Sequence, residues 1–372
     1  MLVTKQPALR RFWYALFQVS ELDSGKPKPF RLLGEDLVVW KKPNGEYAAL
    51  QDRCCHRTAK LSKGWVDKAS GNITCGYHGW QYDDTGACAK IPQFAEGERI
   101  PSAAKVQAFH CQEKYGYIWV SLEDPLRPIP EFPEDGAPGY RRIFQFYQHW
   151  KTSPVRFMEN SFDNSHFSFV HFNTFGQLDQ PRPQSYELEM TDFGFQGQTK
   201  IPIANPPEAH QVVGSSEPVV NRILTNRYYV PFVRRFGCQY ESGIDHIIYN
   251  CATPIDDDNI MLVQWLYRND TEAQCPEQKL IEWDLKITIE DKDILESTDA
   301  DACVDVRRKA EVHMPSDKPG LVIRKLLMDV LQENGEAEVY RGSAAADGAA
   351  PAQAAAVVAA ASQKAQTTTA QA

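Results

Sequence analysis

The sequence predicts an α+β protein of two domains: an N-terminal antiparallel β domain, then a C-terminal domain in which an antiparallel sheet is flanked by helices. Three observations predict it. Residues 12–125 hold short β-prone runs broken by turn signals. A proline-rich stretch follows, with Pro125, Pro128, Pro130, Pro133 and Pro138. Residues 140–340 then mix strand-like alternation with helix-like periodicity. The division is placed at 1–139 and 140–342, leaving 343–372 as a tail, and 372 residues suffice for two domains.

In the first domain the strand candidates include Asp36–Trp40, Glu46–Leu50 and Tyr115–Ser121, with turns at Pro43-Asn44-Gly45, Ser70-Gly71-Asn72 and Asp83–Gly86. In the second, 154–172 reads as one helix, opened by Ser153 as cap and Pro154 in the first turn. Alternating runs near 186–202, 222–235, 245–253 and 260–268 predict strands. Helices are predicted at 277–299 and from Gly320 to about Glu333. From Ser343 onward Ala, Gln, Thr and Ser dominate, a composition too poor in large apolar groups to order itself.

Bulk properties exclude several function classes. The net charge of −9 argues against nucleic acid or an anionic membrane as partner. No run of about 18 apolar residues predicts a membrane span, and Lys5, Arg10 and Arg11 interrupt any secretory leader. Nine cysteines without a compact framework read as reduced thiols and metal ligands, which predicts a cytoplasmic protein.

Two constellations carry chemistry. The first is Cys54-x-His56 and, after eighteen intervening residues, Cys75-x2-His78. Two thiolates and two imidazoles suit either a tetrahedral zinc or a [2Fe–2S] cluster with both imidazoles on one iron. Structural zinc sites tend to pair Cys with Cys and His with His, whereas here each loop supplies one of each, which favours the cluster. The second is Glu159-Asn160-x2-Asp163-x2-His166-x4-His171. Two imidazoles near one side of a helix leave room for a carboxylate and open positions, the arrangement of mononuclear Fe(II) oxygenases. An isolated His in such a place would read as a core residue; the pair beside Asp163 and Asn160 does not.

Arg53-Cys54-x-His56-Arg57, Cys75-x-Tyr77-His78-Gly79-Trp80, Gly86-x-Cys88 and Ile91-Pro92 resemble the Rieske domain of ring-hydroxylating oxygenases, and the second constellation resembles the same family's catalytic motif. Residues 10–335 share in the resemblance. It departs at Cys55, where the family usually has proline; a small, half-buried thiol filling that place is expected. The resemblance implies a helix-grip (START-like) catalytic domain, a Rieske [2Fe–2S] cluster on Cys54, His56, Cys75 and His78, and a mononuclear Fe(II) on His166 and His171. It implies that Asn160 lies near the iron and that Asp163 bridges to a cluster ligand, His78, of a neighbouring subunit in a homotrimer. The run Ile289–Ser297 resembles the family's distal motif and assigns Asp291 as third iron ligand, with Asp293 second choice. Alone, that run would read as a solvated helix face.

The chain has no Gly-x-Gly-x2-Gly after a strand and no Cys-x4-Cys-x2-Cys, so electrons from NAD(P)H are expected through a separate ferredoxin or flavin reductase. The expected activity is O2-dependent hydroxylation or oxidative demethylation of a small organic molecule. Single-subunit oxygenases of saxitoxin-type alkaloid biosynthesis are resembled at His110–Gly116, Trp119-Val120 and Val312–Asp317, which puts alkaloids among the expected substrates. The pheophorbide a oxygenase group is resembled at Gln51–Arg53 and Ala59–Gly64. Arene cis-dihydroxylation, an electron-transfer protein with an inactive iron site, and a zinc-stabilised binding protein are the competing readings. Pocket residues are expected from 155–180, 222–250 and 260–290, where Phe162, Tyr228, Tyr229, Tyr240 and Trp265 read equally as core.

Overall fold

A computed structural model describes residues 1–22 and 26–343, so the expected tail lies outside the described residues apart from Ser343. The N-terminal part is built on two antiparallel sheets. One has six strands in the spatial order 14–18, 117–121, 108–114, 47–51, 35–41 and 28–32. The other is small, with strands 65–66, 73–74, 81–82 and 88–90. Leu37, Val39, Ile118 and Val120 enter one core, and on the opposite faces of their strands Trp40 and Trp119 are fully buried in two others.

The C-terminal part is one seven-stranded antiparallel sheet. From Ile260–Arg268 it runs as a backward meander through Asp245–Pro254, Val233–Tyr240, Val219–Tyr229 and Gly194–Ala204 to Glu187–Thr191, and Arg141–Trp150 closes the other edge. The helices are α1 (Pro154–Phe162), α2 (Phe167–Val170), α3 (His210–Val213), α4 (Glu277–Leu295) and α5 (Lys318–Glu333). The predicted α+β class holds. Among the described residues no helix is long and apolar enough to cross a membrane.

Three predicted elements are corrected. The single helix 154–172 breaks at Asp163, whose backbone turns extended (ψ 136°). Its carboxylate accepts from the amides of Ser165 (2.8 Å) and His166 (3.1 Å), and this local bonding replaces helix hydrogen bonds. The run 186–202 is a hairpin, Thr191 pairing with Gly194. The run 222–235 turns at 230–232, because Pro231 has no N–H to continue a ladder. The cap at Ser153 is as expected, its hydroxyl accepting from Arg156 N at 3.3 Å.

The two parts share side chains. Tyr117 and Trp119 pack with Trp265 and Tyr249 in one buried cluster, and Thr253 Oγ1 donates to Ala15 O at 2.5 Å.

Candidate active site

Two loops shape the N-terminal site, and they fold alike. Cys54 N donates to Ala59 O (2.8 Å) and Thr58 N to Cys54 O (2.9 Å); Cys75 N donates to Trp80 O (2.8 Å) and Gly79 N to Cys75 O (3.0 Å). In each, the residue four after the cysteine is left-handed: Thr58 at φ 58° and Gly79 at φ 75°. A β-branched residue is costly there, so Thr58 is held by its surroundings. The loops touch through Gly64, where a Cβ would lie 1.7 Å from Thr74 O. Gly64→Ala is therefore expected to push them apart, at a cost of about 1–3 kcal/mol or more. A drop in thermal midpoint with loss of visible colour checks this; an unchanged midpoint would contradict it.

Cys54 and Cys75 are buried, and burial together with the neighbouring Cys54 thiol pushes the Cys75 thiol up. The His56 and His78 rings meet edge to face at 4.5 Å, and His56 stacks on Trp80 at 4.5 Å. The four predicted residues thus come together as two pairs, one of thiols and one of imidazoles. His56 Nδ1 is buried without a hydrogen-bond partner, as a nitrogen awaiting a metal would be. Ligands of a single tetrahedral metal would lie within about 4 Å of one another. Among the described residues no three of these four donors come within 4.8 Å of one another, so the spread suits two metal atoms better than one. Tyr82 Oη lies 3.0 Å from Cys54 Sγ and 3.3 Å from Cys55 Sγ. Cys55 corrects its expectation: it is exposed, not half-buried, because it sits at the loop's outer turn.

In the C-terminal part, His166, His171 and Asp291 converge. The Nε2 atoms of the two histidines are 3.3 Å apart, and Asp291 Oδ1 is 3.4 Å from His166 Nε2 and 3.3 Å from His171 Nε2. Ligands held at about 2.1 Å in neighbouring octahedral positions would be about 3 Å apart, so this triangle can hold one divalent metal on one face. Burial disfavours a charged His166, but the hydrogen bonds to Asp163 and Asp291 outweigh it and push its pKa up to about 9. Burial likewise opposes the Asp291 charge, yet the two imidazoles hold it well below the usual carboxylate range. Asp293 is exposed, two residues and about 200° further around α4, so it is not in this group.

Each imidazole is oriented by a second carboxylate through Nδ1, leaving Nε2 for the metal position. Asp163 Oδ2 is 3.1 Å from His166 Nδ1, and Glu290 Oε2 is 2.9 Å from His171 Nδ1. Glu290 also accepts from Thr174 Oγ1 at 2.8 Å. Asn160 Nδ2 donates to Asp291 Oδ1 at 3.0 Å.

The triangle forms part of the wall of a cavity of about 930 Å³, its mouth included, between α1, α2, α4 and the sheet. Residues 284, 287, 288 and 291 line it as one face of α4. Asp284 is engaged by His246 (3.1 Å) and Gln145, and His246 accepts from Arg268 at 2.9 Å. Of the five aromatics named above, Tyr240 lines the cavity, while Phe162, Tyr228, Tyr229 and Trp265 are core. Glu290, the Asp284–His246 pair and the arginines Arg222 and Arg234 were not singled out from sequence.

Comparison with known proteins agrees with this layout. A family profile described as the Rieske [2Fe-2S] domain matches residues 12–110, and one described as the vanillate O-demethylase oxygenase C-terminal domain matches 150–333. Methylxanthine N1-demethylase of Pseudomonas putida is 32% identical over 346 residues, 90% of this chain and 93% of that one. Pheophorbide a oxygenase of Oryza sativa subsp. japonica is 36% identical over 207 residues, 50% of this chain and 38% of that protein. A solved structure of the Pseudomonas putida N1-demethylase with caffeine matches at TM-score 0.76 and 29% identity, covering 90% of this chain and 94% of that chain.

Proposed function

The chain belongs to the Rieske non-haem iron oxygenase family, and from that membership we propose that it hydroxylates the methyl group of an N- or O-methylated small molecule, an alkaloid-like ring among them. Substrate, O2, two electrons and two protons give the hydroxymethyl compound and water; the hydroxymethyl compound then releases formaldehyde. The observation that carries the reading is the His166–His171–Asp291 triangle at the wall of a cavity lined by both apolar and polar side chains. The relatives' own names point the same way, describing N- and O-demethylation.

In this reading Cys54, His56, Cys75 and His78 hold the [2Fe–2S] cluster, and His166, His171 and Asp291 hold a mononuclear Fe(II). When bound, the cluster supplies single electrons and the iron supplies open positions for O2. The chain's own residues do the rest. Asp163 and Glu290 fix the tautomers of the two histidines. Asn160 steadies the Asp291 oxygen. Phe157, Phe167, Ile203 and Ile287 give the cavity apolar walls. The electron partner is a separate reductase, and the working unit is a homotrimer in which Asp163, 30% exposed, faces the neighbouring cluster. None of the nine cysteines is in a disulfide, in keeping with a cytoplasmic location.

The test is the purified, red-brown protein with a surrogate reductase, NADH and O2, screened against N- and O-methylated aromatic compounds. Formaldehyde formed one for one with O2 consumed is expected. Dihydrodiol without formaldehyde, or no substrate-coupled O2 uptake, would refute the proposal. Glu290→Gln is expected to weaken iron retention about 10–100-fold while leaving the cluster spectrum intact. Chelator titration of the holoprotein checks this, and unchanged retention would show that Glu290 does not support His171.

A further inference from the structure

Residues of the strand Val219–Tyr229 alternate in burial, with 220, 222, 224, 226 and 228 turned inward. Four of those places hold residues that are apolar or hydrogen-bonded within the fold. The fifth is Arg222, which is 5% exposed. Its Nε and Nη2 are buried and have no hydrogen-bond partner, and among the described residues no carboxylate lies within ion-pair distance of it. Burying a guanidinium in that state costs several kcal/mol. The ring of Phe175 lies under it, 4.5 Å from Cζ, and offers a face but no acceptor.

The other charges of the cavity wall are accounted for. Asp291 is shared by two histidines and Asn160. Asp284 is held by His246 and Gln145. Arg234 donates to Asn226 Oδ1 at 2.9 Å. Arg222 stands apart in that two of its donors, Nε and Nη2, are buried in the cavity wall with no partner at all.

Arg222 also stands at a useful distance from the metal triangle. Phe175, which supports the guanidinium at 4.5 Å, also stacks on the His171 ring at 4.6 Å. One aromatic ring thus touches both the anchor and an imidazole of the triangle. A planar substrate of about one ring's length could put an anion on Arg222 and its methyl group beside the triangle.

We propose that Arg222 is a specificity-determining residue that binds an oxyanion of the substrate, a carboxylate or sulfonate, so that this chain takes anionic methylated aromatics. The proposal rests on the demethylase reading for the reaction but not for the binding. It sets this chain's preference apart from the methylxanthines named for its relative.

The probes are 4-methoxybenzoate, 4-methoxybenzenesulfonate and the neutral 4-methoxybenzamide, titrated into the holoprotein by calorimetry under anaerobic conditions. At least one anion is expected to bind ten times or more tightly than the amide. Arg222→Met should erase that preference, and Arg222→Lys should keep part of it. The visible spectrum and circular dichroism of each variant show that the fold and cluster remain. Equal binding of anions and amide, binding of no anion, or a preference that survives Arg222→Met overturns the proposal. Arg222-dependent anion binding without formaldehyde from any probe refutes the demethylase reading and leaves the anion site standing. Formaldehyde from neutral substrates at rates indifferent to Arg222→Met does the reverse.

Discussion

His166→Ala is expected to reduce substrate-coupled O2 consumption to background while the protein keeps its colour. His166 supplies one corner of a triangle whose sides are 3.3–3.4 Å. Without it, His171 and Asp291 remain as two ligands, too few to fix a divalent iron on one face. Iron content should fall from about three atoms per chain to about two, because the cluster accounts for two. The cluster should be untouched, since Cys54, His56, Cys75 and His78 lie on loops of the other sheet system. Iron analysis with visible spectroscopy reads both numbers at once. Loss of colour together with activity would mean that the two centres are not separately built. Full iron with no activity would mean that His166 acts in the reaction without being a ligand.

The reason this site could be sought in the sequence at all is that its histidines are local. His166 and His171 are five residues apart, and the loop ligands pair as Cys-x-His and Cys-x2-His, so spacing alone exposes them. Asp291 is different. It lies 120 positions beyond His171, in a run that looks like any acidic helix face, and only the family resemblance picks it out. Which carboxylate of that run points inward is a matter of helix phase: 284, 287, 288 and 291 share the cavity face, and 293 does not. Glu290 escaped notice because its meaning comes from a partner across the chain, His171 Nδ1. Arg222 escaped for the opposite reason. In an alternating strand it reads as one more polar residue, and its lack of a partner exists only in three dimensions. The break at Asp163 was hidden too, because a capping carboxylate inside a helical pattern looks like an exposed helix residue until the amides that donate to it are seen.

That break bears on the second large effect, Asp163→Asn. The Asp163 carboxylate has three duties: it accepts from Ser165 N, from His166 N and from the His166 ring at Nδ1. An asparagine keeps the size and one acceptor oxygen but replaces the other by N–H, which cannot accept from His166 Nδ1. Its charge is also lost, so His166 loses one of the two carboxylates that raise its basicity. Turnover is expected to fall about 10–100-fold from the tautomer and orientation effect alone. If Asp163 is also the bridge between one subunit's iron site and its neighbour's cluster, the loss should be far larger and fall on electron transfer. The two cases separate in a single turnover. With the cluster pre-reduced, a formaldehyde-yielding substrate bound and O2 added, the wild-type cluster should reoxidise as product forms. In Asp163→Asn with its iron content intact, a cluster that stays reduced after mixing identifies the bridge. Reoxidation at the wild-type rate with only a modest loss of product would leave Asp163 as a positioning residue for His166, and would remove the main physical reason for placing the working electron path between subunits.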